Sequence, residues 1–101
     1  MNNEGIRAAL EEWRISRSAA ELEHGPISRW DTQYVTDMSN LFQDQRNFNE
    51  DISGWNVANV TTMEMMFYAA SSFNQPLGQW NVANVTTMRD MFYDATAYSD
   101  N

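Results

Sequence analysis

The chain has no cysteine, no lysine, a single histidine, two prolines and no long apolar run. Without cysteine it has no disulfide framework, no thiolate nucleophile and no sulfur-ligated metal site. With His24 as its lone imidazole, one copy cannot build a multi-histidine metal site or a histidine proton relay. The positive charge comes entirely from arginine, and it is outweighed by fourteen carboxylates to a net −8. Sequence-independent nucleic-acid binding needs surplus positive charge and is excluded; the same sign disfavours anionic membrane surfaces. No window approaches the roughly 20 apolar residues of a membrane-spanning helix, and the N-terminus has no apolar signal core. The chain therefore reads as soluble, with no membrane insertion. What is present is 101 residues with 43% apolar and 13% aromatic content, too aromatic for a disordered tail. That length allows one domain, which would bury about 60–68% of its unfolded surface.

The composition is laid out with a period. Trp30, Trp55 and Trp80 are 25 residues apart, and so are Val35, Val60 and Val85, Met38, Met63 and Met88, and Phe42, Phe67 and Phe92. Ile27, Ile52 and Leu77 keep the same step, as do Phe48, Phe73 and Tyr98, and the string WNVANVTTM occurs identically from Trp55 and from Trp80. A fixed period of this length means stacked units, each burying its apolar face on the next.

Within a unit, Ile52, Trp55 and Val57 with Asn56 between them read as a short strand. Thr61 reads as a helix N-cap completing a capping box with Glu64, and Met63, Met66 and Phe67 follow at helical spacing. Ser71 to Gln75 form a polar return loop around Phe73. Strands want about 4.8 Å between neighbours and helices about 8–10 Å, so such a stack curves. The predicted fold class is thus α/β: a curved right-handed, leucine-rich-repeat-like solenoid of three strand–turn–short-helix units, approximately 27–51, 52–76 and 77–101. Residues 1–26 break the period and read as an N-terminal helical cap over the first unit. Ile6, Leu10 and Trp13 form an amphipathic stripe with Ala9 beside it, Ser18 and Glu21 a capping box, and His24-Gly25-Pro26 a helix end.

The units WNVANVTTMEMMFYAASSFNQ and WNVANVTTMRDMFYDATAYSD resemble the 25–26-residue repeat of BspA-like bacterial surface proteins, a family that includes mycoplasma lipoproteins and listerial surface proteins. The first unit, with Trp30-Asp31-Thr32 and Val35-Thr36-Asp37-Met38-Ser39, is similar but looser. The resemblance covers about residues 27–101. It implies a leucine-rich-repeat-like solenoid, a cell-surface location, frequent adhesive use and no enzymatic activity.

Two surfaces stand out as partner-binding candidates. If Trp55 and Val57 point inward on a strand, the opposite face carries Arg29, Asp31 and Gln33 in the first unit, Gly54, Asn56 and Ala58 in the second, and Gln79, Asn81 and Ala83 in the third. Of these, Arg29, Asp31, Gln33, Asn56, Gln79 and Asn81 are the contact candidates, and Arg29 alone has hot-spot chemistry. The second surface is the end of the third unit, where Trp80, Val82, Met88, Phe92 and Tyr98 have no unit packed after them. Met65, whose column holds Asn40 and Asp90, adds a contact patch with Tyr68 and Tyr93.

Other patterns carry less. The tryptophan column shares its phase with Val57 and Val82, which makes it core and not a sugar platform. Asn49, Asp51, Ser53 and Gly54 imitate the start of a calcium loop, but the position for the closing glutamate is Val60. Asn59-Val60-Thr61 and Asn84-Val85-Thr86 are formal glycosylation acceptors that turn and cap chemistry already explains. His24 has no nucleophile beside it and suits a helix end; Glu11-Glu12 and Glu21 with Glu23 suit a solvated helix surface. No enzyme, cofactor or metal is expected, and a small-molecule ligand is disfavoured. The expected function is a noncatalytic repeat module for protein–protein interaction or self-association. The alternatives are an adhesin fragment or a structural part of a virion or larger complex.

Overall fold

The computed structural model describes residues 1–99, so Asp100 and Asn101, the last two residues of the expected third unit, lie outside the described residues. Helix α1 spans Asn3–Ile15 and α2 spans Arg17–His24, followed by a 3₁₀ turn at Ile27–Arg29. Asn2 starts α1 by accepting the Gly5 N–H at 2.7 Å. Glu4 and Arg14 sit at the ends where the helix dipole favours their charges. Ile6, Ala9 and Leu10 form the buried face of α1. Ser16 ends α1 and caps α2, accepting from Ala19 N–H, so the cap lies two residues before the expected Ser18. Gly25 closes α2 in the left-handed region at φ 79°, and its N–H returns to the Glu21 carbonyl.

The expected α/β architecture is wrong beyond this point. Among the described residues there is no β-strand and no sheet, only two isolated parallel bridges, Asp37 to Thr62 and Thr62 to Thr87. There is no α-helix after His24 either, so the strand–turn–short-helix unit and the curved right-handed leucine-rich-repeat solenoid built from it are both overturned. The described residues form a small globule of 32 × 26 × 20 Å. Its radius of gyration, 12.6 Å, is that of an ordinary compact domain, for which this length gives about 13 Å.

Two local causes explain the failure. Where a strand was expected, Asp31, Asn56 and Asn81 each fold back to accept the backbone N–H two residues on, from Gln33, Ala58 and Ala83. A β-turn follows at once, with Val60 N–H on the Val57 carbonyl and Val85 N–H on the Val82 carbonyl. Such side-chain turns compete with an extended backbone. Where a helix was expected, Asn40, Asp44, Met65, Ala69, Asp90 and Asp94 all have φ between 55° and 63°. A left-handed residue every fourth position prohibits an α-helix. The segment instead winds through overlapping turns, with Met66, Tyr68 and Ala70 donating to the carbonyls of Met63, Met65 and Phe67. Thr61 caps nothing; its hydroxyl donates to the Thr36 carbonyl, as the Thr86 hydroxyl does to Thr61.

These wound segments are joined to one another in the 25-residue register. Met38, Asn40, Phe42 and Asp44 donate backbone N–H groups to the carbonyls of Thr62, Glu64, Met66 and Tyr68. Shifted by one period, Met63, Met65, Phe67 and Ala69 donate to Thr87, Arg89, Met91 and Tyr93. Thr61 and Thr86 N–H groups return the opposite bond, to Thr36 and Thr61. Inside, Phe42, Phe67 and Phe92 stack with ring centres 5.5 and 5.4 Å apart, and Phe48, Phe73 and Tyr98 stack at 5.9 and 6.0 Å. Trp55 and Trp80 are buried and donate their indole N–H to the carbonyls of Ile27 and Ile52.

Helix α1 supplies to the first unit what a preceding unit would. Asn3 Oδ1 accepts from Thr36 N–H at 2.8 Å, the bond that Thr36 and Thr61 carbonyls make to the two later units. Arg7 donates to the carbonyls of Ser39 at 2.9 Å and Asp37 at 3.5 Å, the positions that take backbone N–H groups in the later units. Ile6 and Leu10 join the same apolar cluster as Val35, Met38 and Leu41.

Candidate functional site

At the opposite end the same surface is bare. Val82 and Met88 are 37% and 44% exposed, whereas Val57 and Met63 one period earlier are 1% and 0% exposed. The end residues Trp80, Val82, Met88, Phe92 and Tyr98 all line a single apolar hollow of about 270 Å³. Met63, Leu77, Gly78 and Met91 complete its wall. Sequence reasoning does not place these residues at the end face: Met63 and Leu77 read as column positions inside the stack, and Gly78 and Met91 carry no signal of their own.

The polar groups beside this hollow are mostly donors, with the Thr86 carbonyl as an acceptor among them. The N–H groups of Met88, Asp90, Phe92 and Asp94 stand where earlier units donate across the interface, and among the described residues they meet no acceptor. The carbonyls of Met88, Asp90 and Phe92 already accept from Met91, Tyr93 and Ala95. The end face thus sets four unpaired N–H groups and the Thr86 carbonyl beside an apolar floor.

The other predicted surface exists as exposed residues but not as a strand face. Arg29, Asp31, Gln33, Asn56, Gln79 and Asn81 are all exposed. Three of them, Asp31, Asn56 and Asn81, are occupied as acceptors in their own turns, which lowers what they can offer a partner. Tyr68 and Tyr93 stack at 5.1 Å, while Met65 is partly buried with the Asn40 amide against its sulfur.

The remaining polar groups have structural partners. Asn49 Oδ1 accepts from Asn74 N–H and from Gln75, and Asp51 accepts both Ser53 donors, so the calcium-like string holds its own backbone. Those Ser53 hydrogen bonds also lower the Asp51 pKa. The Asn59 and Asn84 amides donate to the carbonyls of Gln33 and Ala58 in the neighbouring unit. His24 lies 3.3 Å from Glu12 and 3.8 Å from Glu23, with its edge towards Trp30. These three side chains are the one grouping with metal-ligand spacing among the described residues.

A second opening, about 480 Å³, is lined by Trp13, Arg14, Arg17, Arg46 and Glu50 among others. Arg17 bridges Glu21 at 2.9 Å and Glu50 at 2.8 Å and lies over the Trp13 ring. Hydrogen bonding to Glu21, with the charge of Glu50, raises its pKa. No pattern of residues pointed to this opening, because Arg46 and Glu50 reach the helices only through the tertiary fold.

Among the described residues these features form a stack of repeats with helices against one end and an apolar hollow at the other. A family model described as "Mycoplasma protein of unknown function, DUF285" matches residues 8–101, and the chain belongs to that family. No curated protein and no solved structure matches it. No helix among the described residues is long and apolar enough to cross a membrane.

Proposed function

We propose that this chain is a noncatalytic, BspA-like repeat module that acts by protein–protein contact through the open end of its third unit. The carrying observation is the contrast at equivalent positions: Val82 and Met88 are open where Val57 and Met63 are sealed. Covering apolar surface contributes about 25 cal/mol per Å², and Tyr98 at the hollow supplies an aromatic group of the kind binding hot spots favour. The BspA-like assignment is supported by the quoted units, in which tryptophan, valine-threonine and methionine-phenylalanine positions recur together.

The test is recovery of cross-linked complexes from cells carrying the wild-type chain, Met88→Asp, or the pair Asn56→Arg and Asn81→Arg. Loss on Met88→Asp alone supports contact through the end. Loss on the asparagine pair alone moves the function to the exposed turns and favours an adhesin. No complex from any chain overturns the interaction reading.

A further inference from the structure

The composition excludes sulfur-ligated and multi-histidine metal sites, but not a site that joins the lone imidazole to carboxylates. The helical cap brings such a set together. Glu12 lies on α1, Glu23 and His24 end α2, and the two helices are joined at Ser16. His24 Nε2 is 3.3 Å from a Glu12 carboxylate oxygen and 3.8 Å from a Glu23 oxygen. One ligand atom from each side chain lies within 4.8 Å of the other two. Bonds of about 2.0–2.2 Å to a tetrahedral Zn²⁺ put ligand atoms roughly 3.3–3.6 Å apart. Glu23, whose side chain is 62% exposed, has room to close the remaining gap. The imidazole is already placed: its edge meets Trp30, whose indole N–H is tied to the Gly25 carbonyl at 2.9 Å.

The ion pairs of the cap supply an independent observation. Glu11 has Arg14, Glu21 and Glu50 share Arg17, and Asp37 has Arg7. Among the described residues Glu12 and Glu23 meet no arginine, and His24 is the cationic partner of both. Two carboxylates held within 4.8 Å repel each other. A proton on the imidazole offsets one of these charges, whereas a divalent cation offsets both. One nitrogen and two oxygens, with a fourth position left to water, is a mixed donor set that suits Zn²⁺; Ca²⁺ and Mg²⁺ favour oxygen alone and more ligands. We propose that Glu12, Glu23 and His24 form a Zn²⁺ site that ties α1 to the end of α2 beside Trp30. Its role is structural. Trp30 stacks on Trp55 at 6.4 Å, so fixing the helix end next to it fixes the start of the tryptophan column. The site stands apart from contact through the third unit and does not depend on it.

The test titrates Zn²⁺ into the full chain, free of any polyhistidine tag, near neutral pH. With one histidine, the imidazole ¹⁵N spectrum reports His24 alone. The Nε2 resonance is expected to shift and to saturate at equimolar metal, and Tm to rise with it. Glu12→Gln and Glu23→Gln should each weaken binding by at least about tenfold, a loss seen even for groups that only orient a metal ligand. Glu11→Gln, next to Glu12 but paired with Arg14, should leave affinity unchanged. An unshifted ring in the wild-type chain overturns the proposal whatever the variants do. Binding that survives both glutamine changes, or that Glu11→Gln weakens equally, marks an adventitious acidic surface and also overturns it. So does displacement by equimolar Mg²⁺, which would mark an oxygen-only site.

Discussion

The left-handed residues make a prediction whose sign separates two local structures. Asp44 and Asp94 are exposed, with φ of 63° and 58°, and sit in the segment where apolar spacing predicts a helix. In a helix, alanine is more stable than glycine by about 0.8–1 kcal/mol. In the left-handed region an L-residue is penalised by about 1–2 kcal/mol, and glycine's extra backbone entropy returns roughly 0.5–1 of that. Glycine should therefore beat alanine at each site by about 0.5–1 kcal/mol, a swing of nearly 2 from the helical expectation. Neither change removes the backbone bond from Asp44 N–H to the Tyr68 carbonyl. The assay is thermal unfolding of Asp44→Gly, Asp44→Ala, Asp94→Gly and Asp94→Ala, read as Tm at about 4–8 °C per kcal/mol. Alanine melting above glycine at both positions would refute the wound-turn account of the unit.

Other consequences can be measured alongside. Phe67→Ala removes a fully buried ring stacked between Phe42 and Phe92 and against Phe73, and should cost about 3–5 kcal/mol by denaturant titration. Phe92→Ala, at the open end and only partly buried, should cost no more than about half as much; the reverse order would contradict the open-end geometry. Asn3→Ala strips the acceptor from Thr36 and Asp37 N–H and should destabilise by about 1–2 kcal/mol, with faster exchange at Thr36 as the direct sign. Burial opposes ionisation of Asp37, but hydrogen bonds from Ser39 and the charge of Arg7 outweigh it and hold the carboxyl below its usual range. Its folded pKa lies below the unfolded one, so its contribution is complete above the ordinary value of 3.8 and lost as pH falls through the lower folded value. Ser39→Ala should therefore flatten stability against pH in that acid window, and an unchanged slope would remove Asp37 from the account.

The register was legible and the local conformation was not, for one physical reason. A 25-residue period assigns residues to columns whatever path the backbone takes between them, so the tryptophan and phenylalanine stacks follow from spacing alone. Apolar residues at Met63, Met66, Phe67 and Ala70 lie on one side of an α-helix, but overlapping turns with a left-handed residue at every fourth position bury the same set. Periodicity cannot separate the two. Chemistry could have: Asn40, Asp44, Asp90 and Asp94 are residue types that tolerate the left-handed region, and Met65 and Ala69 masked the column by occupying it in the middle unit. The same substitution of turns for strands turns a two-sided edge into a polar one. Each unit gives four N–H groups forward and takes four on carbonyls behind, with one N–H returned at Thr61 and at Thr86, so the two ends of the stack are chemically different. Arg7 donates to carbonyls and Asn3 accepts an N–H at the first unit from a helix face where the hydrophobic pattern has nothing to say, and the far end is left with unpaired N–H groups beside Val82 and Met88.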